Sequence, residues 1–149
     1  MKIVTRGSSP ESEILSLERE MGYRLPEQYR TWLKDTSGGR LEAMLDAPFP
    51  DGDAMVDGFH GPKGAAEGYR FGLATCVPPH YLCVSTGAGG AYCIEVEGST
   101  AGAVYWADFE GAMNLVAEDE YSEEIMVRQA DDWESFLAMI EAAPFPDLE

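Results

Sequence analysis

His80, Cys83 and Cys93 are the side chains whose types best suit chemistry, an imidazole and two thiols in one short stretch, with Cys76 just before them. Brought together by a hairpin, they would suit a zinc ion, which takes thiolate and imidazole ligands. The plainer reading makes the cysteines small buried hydrophobes. Three cysteines without a C-x-x-C pair suggest neither a disulfide framework nor a zinc ribbon, and a reducing compartment suits them. Nucleophilic catalysis has little to draw on: G-x-S-x-G is absent, and His60 and His80 are the only histidines that could act as a base. A Cys–His pair, or His80 with a carboxylate, leaves a small hydrolase open as a remote alternative.

Asp51, Asp53 and Asp57 begin like a calcium loop, but the sixth position is not glycine and the twelfth is Pro62 instead of glutamate. Gly87, Gly89 and Gly90 follow a strand-like run as phosphate loops do, yet AYCIEVE after them reads as another strand. A phosphate needs a helix N-terminus there, so the glycines mark a turn. With 27 acids, neighbouring carboxylates arise by chance and do not indicate a glycosidase pair. The expectation is therefore no catalytic residue, no metal and no cofactor.

The formal charge is −17 and unevenly spread. Residues 1–70 hold 12 acids against 9 bases, and residues 71–149 hold 15 acids against one base, Arg128, giving −3 and −14. Such a surface repels phosphate backbones and anionic lipid, which argues against nucleic acid and membrane as partners. It attracts cationic proteins over about 8 Å, the Debye length at physiological salt. Solubility alone would also account for the acidity. The start, MKIVTRGSSP, lacks the apolar run of a signal peptide, and nowhere do 18 apolar residues stand together. A cytoplasmic protein is expected. At 149 residues one domain, 1–149, is enough to bury a core; the oligomeric state stays open.

Two amphipathic helices open the chain. Ser9 can cap the first and Pro10 suits its first turn; Ile14, Leu17 and Met21 repeat at helical spacing. Gly22 can take the positive φ that ends it, Pro26 restarts the chain, and Tyr29, Trp32 and Leu33 share a stripe before Gly38 and Gly39. LEAMLD (41–46) alternates like a strand. The stretch 47–68, with three prolines and five glycines, reads as a long loop, either functional or hiding a short element. YRFGLA, HYLCVS, AYCIEVE and AVYWAD read as strands of an antiparallel meander, with TGAGG and GSTAG as hairpin turns. Residues 110–124 hold six acids and no base, and do not choose between loop and frayed helix. Asp131 and Glu134 form a capping-box-like start before Trp133, Phe136, Leu137 and Ile140, and Pro144 closes that helix. The aromatics Tyr29, Trp32, Trp133 and Phe136 read as core. The sum is an α+β fold: an antiparallel central sheet of about four to six strands, with two N-terminal helices and a C-terminal helix on one face.

In this order the segments resemble the SUKH superfamily, which includes yeast cell-wall-synthesis regulators and many bacterial immunity proteins. ILSLEREMGYRLPEQYRTWLKDTSGG is similar to the family's opening of a helix, a glycine, Leu-Pro, an aromatic helix and a Gly-Gly stop. GAGGAYCIEVEGSTAGAVYWADFE resembles its central hairpins, and ADDWESFLAMI its closing helix. Two positions depart from the pattern: Ala91, where a polar residue often follows the glycines, and Phe109, where histidine often stands between Asp108 and Glu110.

The resemblance implies a non-enzymatic α+β domain that, in bacterial members, binds a cognate toxin, often a nuclease. Because a nuclease cleft is cationic, an acidic surface can occupy it and hasten encounter. The expected partner surface comprises Asp108, Glu110, Glu118, Asp119, Glu120, Glu123 and Glu124, with Trp106 as an aromatic anchor, since of Tyr105 and Trp106 one must face out of the strand. The partner expected is a basic protein toxin. The alternative is an intracellular regulatory or scaffold domain holding a non-toxin protein.

Overall fold

The computed structural model describes residues 3–46, 55–70, 77–109 and 123–142. Helix α1 (Glu11–Met21) follows Pro10, carries Glu11 and Glu13 in its first turn, where they suit the positive end of the helix dipole, and buries Ile14, Leu17 and Met21. Gly22 ends it at φ 80°, its N–H donating to the Glu18 carbonyl. Ser9 does not cap α1. Its hydroxyl donates to Leu33 O at 3.3 Å and its N–H to Lys34 O at 2.7 Å, so it closes the last turn of α2 (Glu27–Thr36) instead. The Lys34 carbonyl is an orphan of the helix end that the Ser9 N–H satisfies, while Leu33 O accepts the Ser37 N–H as well, at 2.9 Å. Helix α2 follows Pro26, buries Tyr29 and Leu33, and stops at Ser37 and Gly38, both with positive φ.

An ion cluster holds the corner between these helices. The Arg30 guanidinium sits against the Glu18 carboxylate at 3.2–3.3 Å and also reaches Glu11, while Glu18 Oε2 accepts the Leu25 N–H at 2.8 Å. The Lys34 ammonium lies 3.3 Å from Glu11. The hydrogen bond from Arg30 holds the Glu11 carboxyl below its ordinary 4.5 against an upward push from burial, with the Lys34 contact adding a smaller pull downward. A carboxyl depressed in the folded state adds stability above the unfolded value and loses it as pH falls through the folded one. The denaturation midpoints of the wild type and Glu11→Gln are therefore expected to differ above pH 4.5 and to converge below it; a gap independent of pH would exclude the ion pair as its cause.

Two four-stranded antiparallel sheets follow. The first has the order β1 (Ile3–Thr5), β2 (Gly39–Asp46), β3 (Met55–Phe59), β5 (Ser85–Ala88). The second has β4 (Tyr81–Cys83), β6 (Gly90–Glu95), β7 (Val104–Asp108), β8 (Met126–Ala130). The chain changes sheet at Val84, so the run expected as one strand at 80–85 is two. TGAGG likewise lies mostly in β5, the reversal falling at Gly89 with φ 82°. GSTAG is the expected turn between antiparallel neighbours β6 and β7. AYCIEVE and AVYWAD form β6 and β7.

The stretch 47–68 is not simply a loop. It contains β3 and most of a helix, α3 (Pro62–Arg70). Two glycines lower its intrinsic helicity, but Ala65 is buried in the main core, and tertiary packing outweighs propensity. Tyr69 and Arg70, expected in a strand, end this helix; residues 71–76 and 47–54 lie outside the described residues, as do 110–122 and Pro144.

The last helix, α4 (Trp133–Ala142), starts one residue later than the capping pattern suggests. Asp132, not Asp131, caps it, accepting the Ser135 N–H at 2.8 Å; Asp131 pairs with Arg128 at 2.8 Å. That backbone hydrogen bond holds the Asp132 carboxyl below its ordinary range.

The main core joins Ile14, Leu17, Tyr29, Leu33, Trp133, Phe136 and Ile140 of the helices to Leu82, Tyr92, Ile94, Val104 and Trp106 of the second sheet. Residues alternate across a strand, so the opposite face of that sheet builds a second, smaller cluster: Val77, Tyr81, Cys93, Ala107 and Ile125, flanked by Cys83, Tyr105, Phe109 and Met126.

Candidate partner-binding surface

Trp106 is not an exposed anchor. It is 4% exposed and packs edge-to-face on Tyr92, centroids 5.2 Å apart, in the main core. Its register partner is Tyr92, whose side chain points to the helices, and directly opposed residues share a face. Tyr105 points the other way, half-buried, with its ring 5.1 Å from that of Tyr81.

Three of the proposed carboxylates fall within the described residues. Asp108 ends β7, and because Ala107 pairs with Met126, it sits at the end of the sheet where the 3-10 turn Glu123–Ile125 leads into β8. Glu123 and Glu124 are exposed on that turn and Asp108 is half-exposed. Glu110, Glu118, Asp119 and Glu120 lie outside the described residues.

Glu123 also holds the fold together. Its Oε1 lies 2.7 Å from His80 Nε2, and its Oε2 accepts the Tyr81 hydroxyl at 2.8 Å. Burial first, then the bond to Glu123, pushes the Tyr81 phenol well above its ordinary range, so it remains a donor. His80 and Tyr81 face each other with centroids 4.5 Å apart. Further along this face, the buried Glu95, opposite Tyr81 in the register, accepts the Thr100 hydroxyl at 2.7 Å, and Thr100 meets the Tyr105 hydroxyl at 3.1 Å. The line Glu95, Thr100, Tyr105, Tyr81, Glu123, His80 was not legible in the sequence. Tyr81 and Glu123 stand 42 positions apart, and no local pattern links them.

The histidine and cysteines considered for a metal do not converge. His80 is taken up by Glu123, while Cys83 and Cys93 face each other across β4 and β6. Among the described residues no group of three or more His, Cys, Asp or Glu side chains could hold a metal ion. Cys76, Asp51 and Asp53 lie outside the described residues, and Asp57 falls in β3. Gly90 opens β6, a strand, so the glycines before it do not feed a helix N-terminus. Between α1 and α3 runs an open groove of about 310 Å³, lined by Ser12, Glu13, Ser16, Pro62, Lys63, Ala66 and Glu67, with Lys63 and Glu13 ion-paired at 3.5 Å. It involves none of the proposed carboxylates.

The family model of SMI1 / KNR4 (SUKH-1) matches residues 9–139, from the residue before Pro10 to the last turns of α4. The chain belongs to that family. The match takes in the opening helices, both central hairpins and the closing helix, the segments whose order carried the resemblance. Among curated proteins none matches significantly. Among the described residues of this SUKH-1 domain no helix is long and apolar enough to cross a membrane.

Proposed function

We propose that this SUKH-1 domain is a non-enzymatic immunity protein that binds a cognate basic toxin, of nuclease type, inside the producing cell. The observation that carries the reading is the charge: a family that includes toxin-binding proteins, and a second half holding 15 acids and one base. Asp108, Glu123 and Glu124 at one end of the second sheet, together with Glu110, Glu118, Asp119 and Glu120 of the sequence between them, are the carboxylates assigned to the contact. Their role is to occupy a phosphate-gripping cleft and to speed encounter.

Capture of partners from the host with the tagged chain, followed by kinetics, tests this reading. A basic nuclease in the captured fraction supports it; a non-toxin regulatory protein supports instead the scaffold reading that the family also accommodates. Combined reversal of Asp108 and Glu124 to lysine should slow association with the toxin by roughly tenfold or more at low salt and flatten its salt dependence. Glu123 is kept out of that variant because its carboxylate holds Tyr81 and His80. Association rates unchanged by the reversals would remove the surface from the proposal.

A further inference from the structure

β4 and β6 pair antiparallel, with Tyr81 opposite Glu95, Leu82 opposite Ile94 and Cys83 opposite Cys93. The backbone bonds from Val84 N to Tyr92 O at 2.9 Å and from Val96 N to His80 O at 2.8 Å lie on the even-numbered rungs of this ladder. Hydrogen-bonded and non-hydrogen-bonded rungs alternate, so Cys83 and Cys93 occupy a non-hydrogen-bonded rung, where Cα atoms approach to about 4.5 Å. That separation lies within the roughly 4.4–6.8 Å that a disulfide spans. Neither cysteine is in a disulfide; their sulfurs are 3.3 Å apart, one thiol donating to the other, and Cys93 Sγ also lies 3.8 Å from the Ala91 carbonyl oxygen.

The two differ in access. Cys93 is fully buried on the central strand β6, in the smaller core with Tyr81, Ala107 and Ile125. Cys83 is partly exposed on β4, an edge strand of its sheet. The partly exposed residue and the fully buried one face each other across the rung, the arrangement of an attacked and a resolving thiol.

We propose that Cys83 and Cys93 form a modification site, a dithiol that a peroxide closes to a cross-strand disulfide. The Cys83 thiolate attacks one peroxide oxygen; an S–O bond forms, the O–O bond breaks, and the departing oxygen leaves as water, giving a sulfenic acid. Cys93 Sγ then attacks the Cys83 sulfur; the S–S bond forms, the S–O bond breaks, and hydroxide takes the Cys93 proton and leaves as a second water. Two electrons pass from the sulfurs to the peroxide. The bridge ties the edge strand that carries Tyr81 to the centre of the sheet. The site is independent of the proposed toxin partner.

The test treats the reduced, full-length chain with hydrogen peroxide in small excess. The expected result is a mass lower by two hydrogens, a fall from the three thiols of the chain to one in denaturant, and recovery of all of them with dithiothreitol. Chymotryptic cleavage after Tyr92 separates the two cysteines, so their peptides should stay linked until reduced. Cys76→Ser should close the bridge as the wild type does; Cys83→Ser and Cys93→Ser should not. Should Cys93→Ser fail to fold, the linked wild-type peptides decide. A bridge to Cys76, a covalent dimer, a sulfinic acid without a bridge, or three thiols that persist would each overturn the proposal.

Discussion

Trp133→Ala is expected to cost about 3–5 kcal/mol, a large share of the roughly 5–15 kcal/mol by which a domain of this kind is stable. Trp133 is 1% exposed, and its ring meets Tyr29 at 4.8 Å, Trp32 at 5.0 Å, Phe136 at 5.2 Å and Phe59 at 6.0 Å. These partners come from α2, α4 and β3, so one truncation loosens the contact between the helices and the first sheet. Close packing leaves the site little freedom to collapse, and the cavity adds to the lost transfer energy. Urea unfolding followed by fluorescence or circular dichroism measures the effect; a loss below about 1 kcal/mol would mean that the aromatic cluster is not the keystone of the core.

Gly90→Ala is the second large effect. A β-carbon at Gly90 would stand 2.1 Å from the Ala107 carbonyl oxygen and 2.6–2.8 Å from the Trp106 indole. The oxygen belongs to the neighbouring strand and the indole is locked in the core, so neither can give way without opening the start of the β6–β7 ladder. Overpacking against backbone of this kind should cost roughly 3 kcal/mol or more. Gly22→Ala is the matched control. Gly22 has φ 80° but nothing within 4 Å of the added carbon, so only left-handed strain applies, about 1–2 kcal/mol. Equal losses at the two positions, measured by denaturant unfolding, would show that the approach of β6 to β7 is not what requires the glycine.

Much of the fold was legible because it is written locally. Ile14, Leu17 and Met21, then Tyr29 and Leu33, and finally Trp133, Phe136 and Ile140 keep a helical period, and all are buried. Gly22 ended α1 as its freedom at positive φ suggested. Where a local signal competed with packing, packing won: α3 forms despite Gly64 and Gly68 because its apolar side faces the core. The caps slipped for a similar reason. Ser9 is bonded to the end of α2 and not to α1, and Asp131 pairs with Arg128 while Asp132 caps α4.

The candidate surface divides the same way. Charge adds up along a chain whatever its shape, so the acidity of the second half required no coordinates. Alternation likewise placed Tyr105 and Trp106 on opposite faces. By itself, then, the sequence determined helices α1, α2 and α4, the α+β class, the family and the sign of the charge, because periodicity, turn chemistry and charge are properties of neighbours in the chain. Which face of β7 turns inward, which carboxylate is bonded to Tyr81 and His80, and which two cysteines meet were decided only in the tertiary structure. Those outcomes depend on strand register and on the packing of two sheets, where residues distant in the chain become neighbours and a shift of one position would exchange the faces.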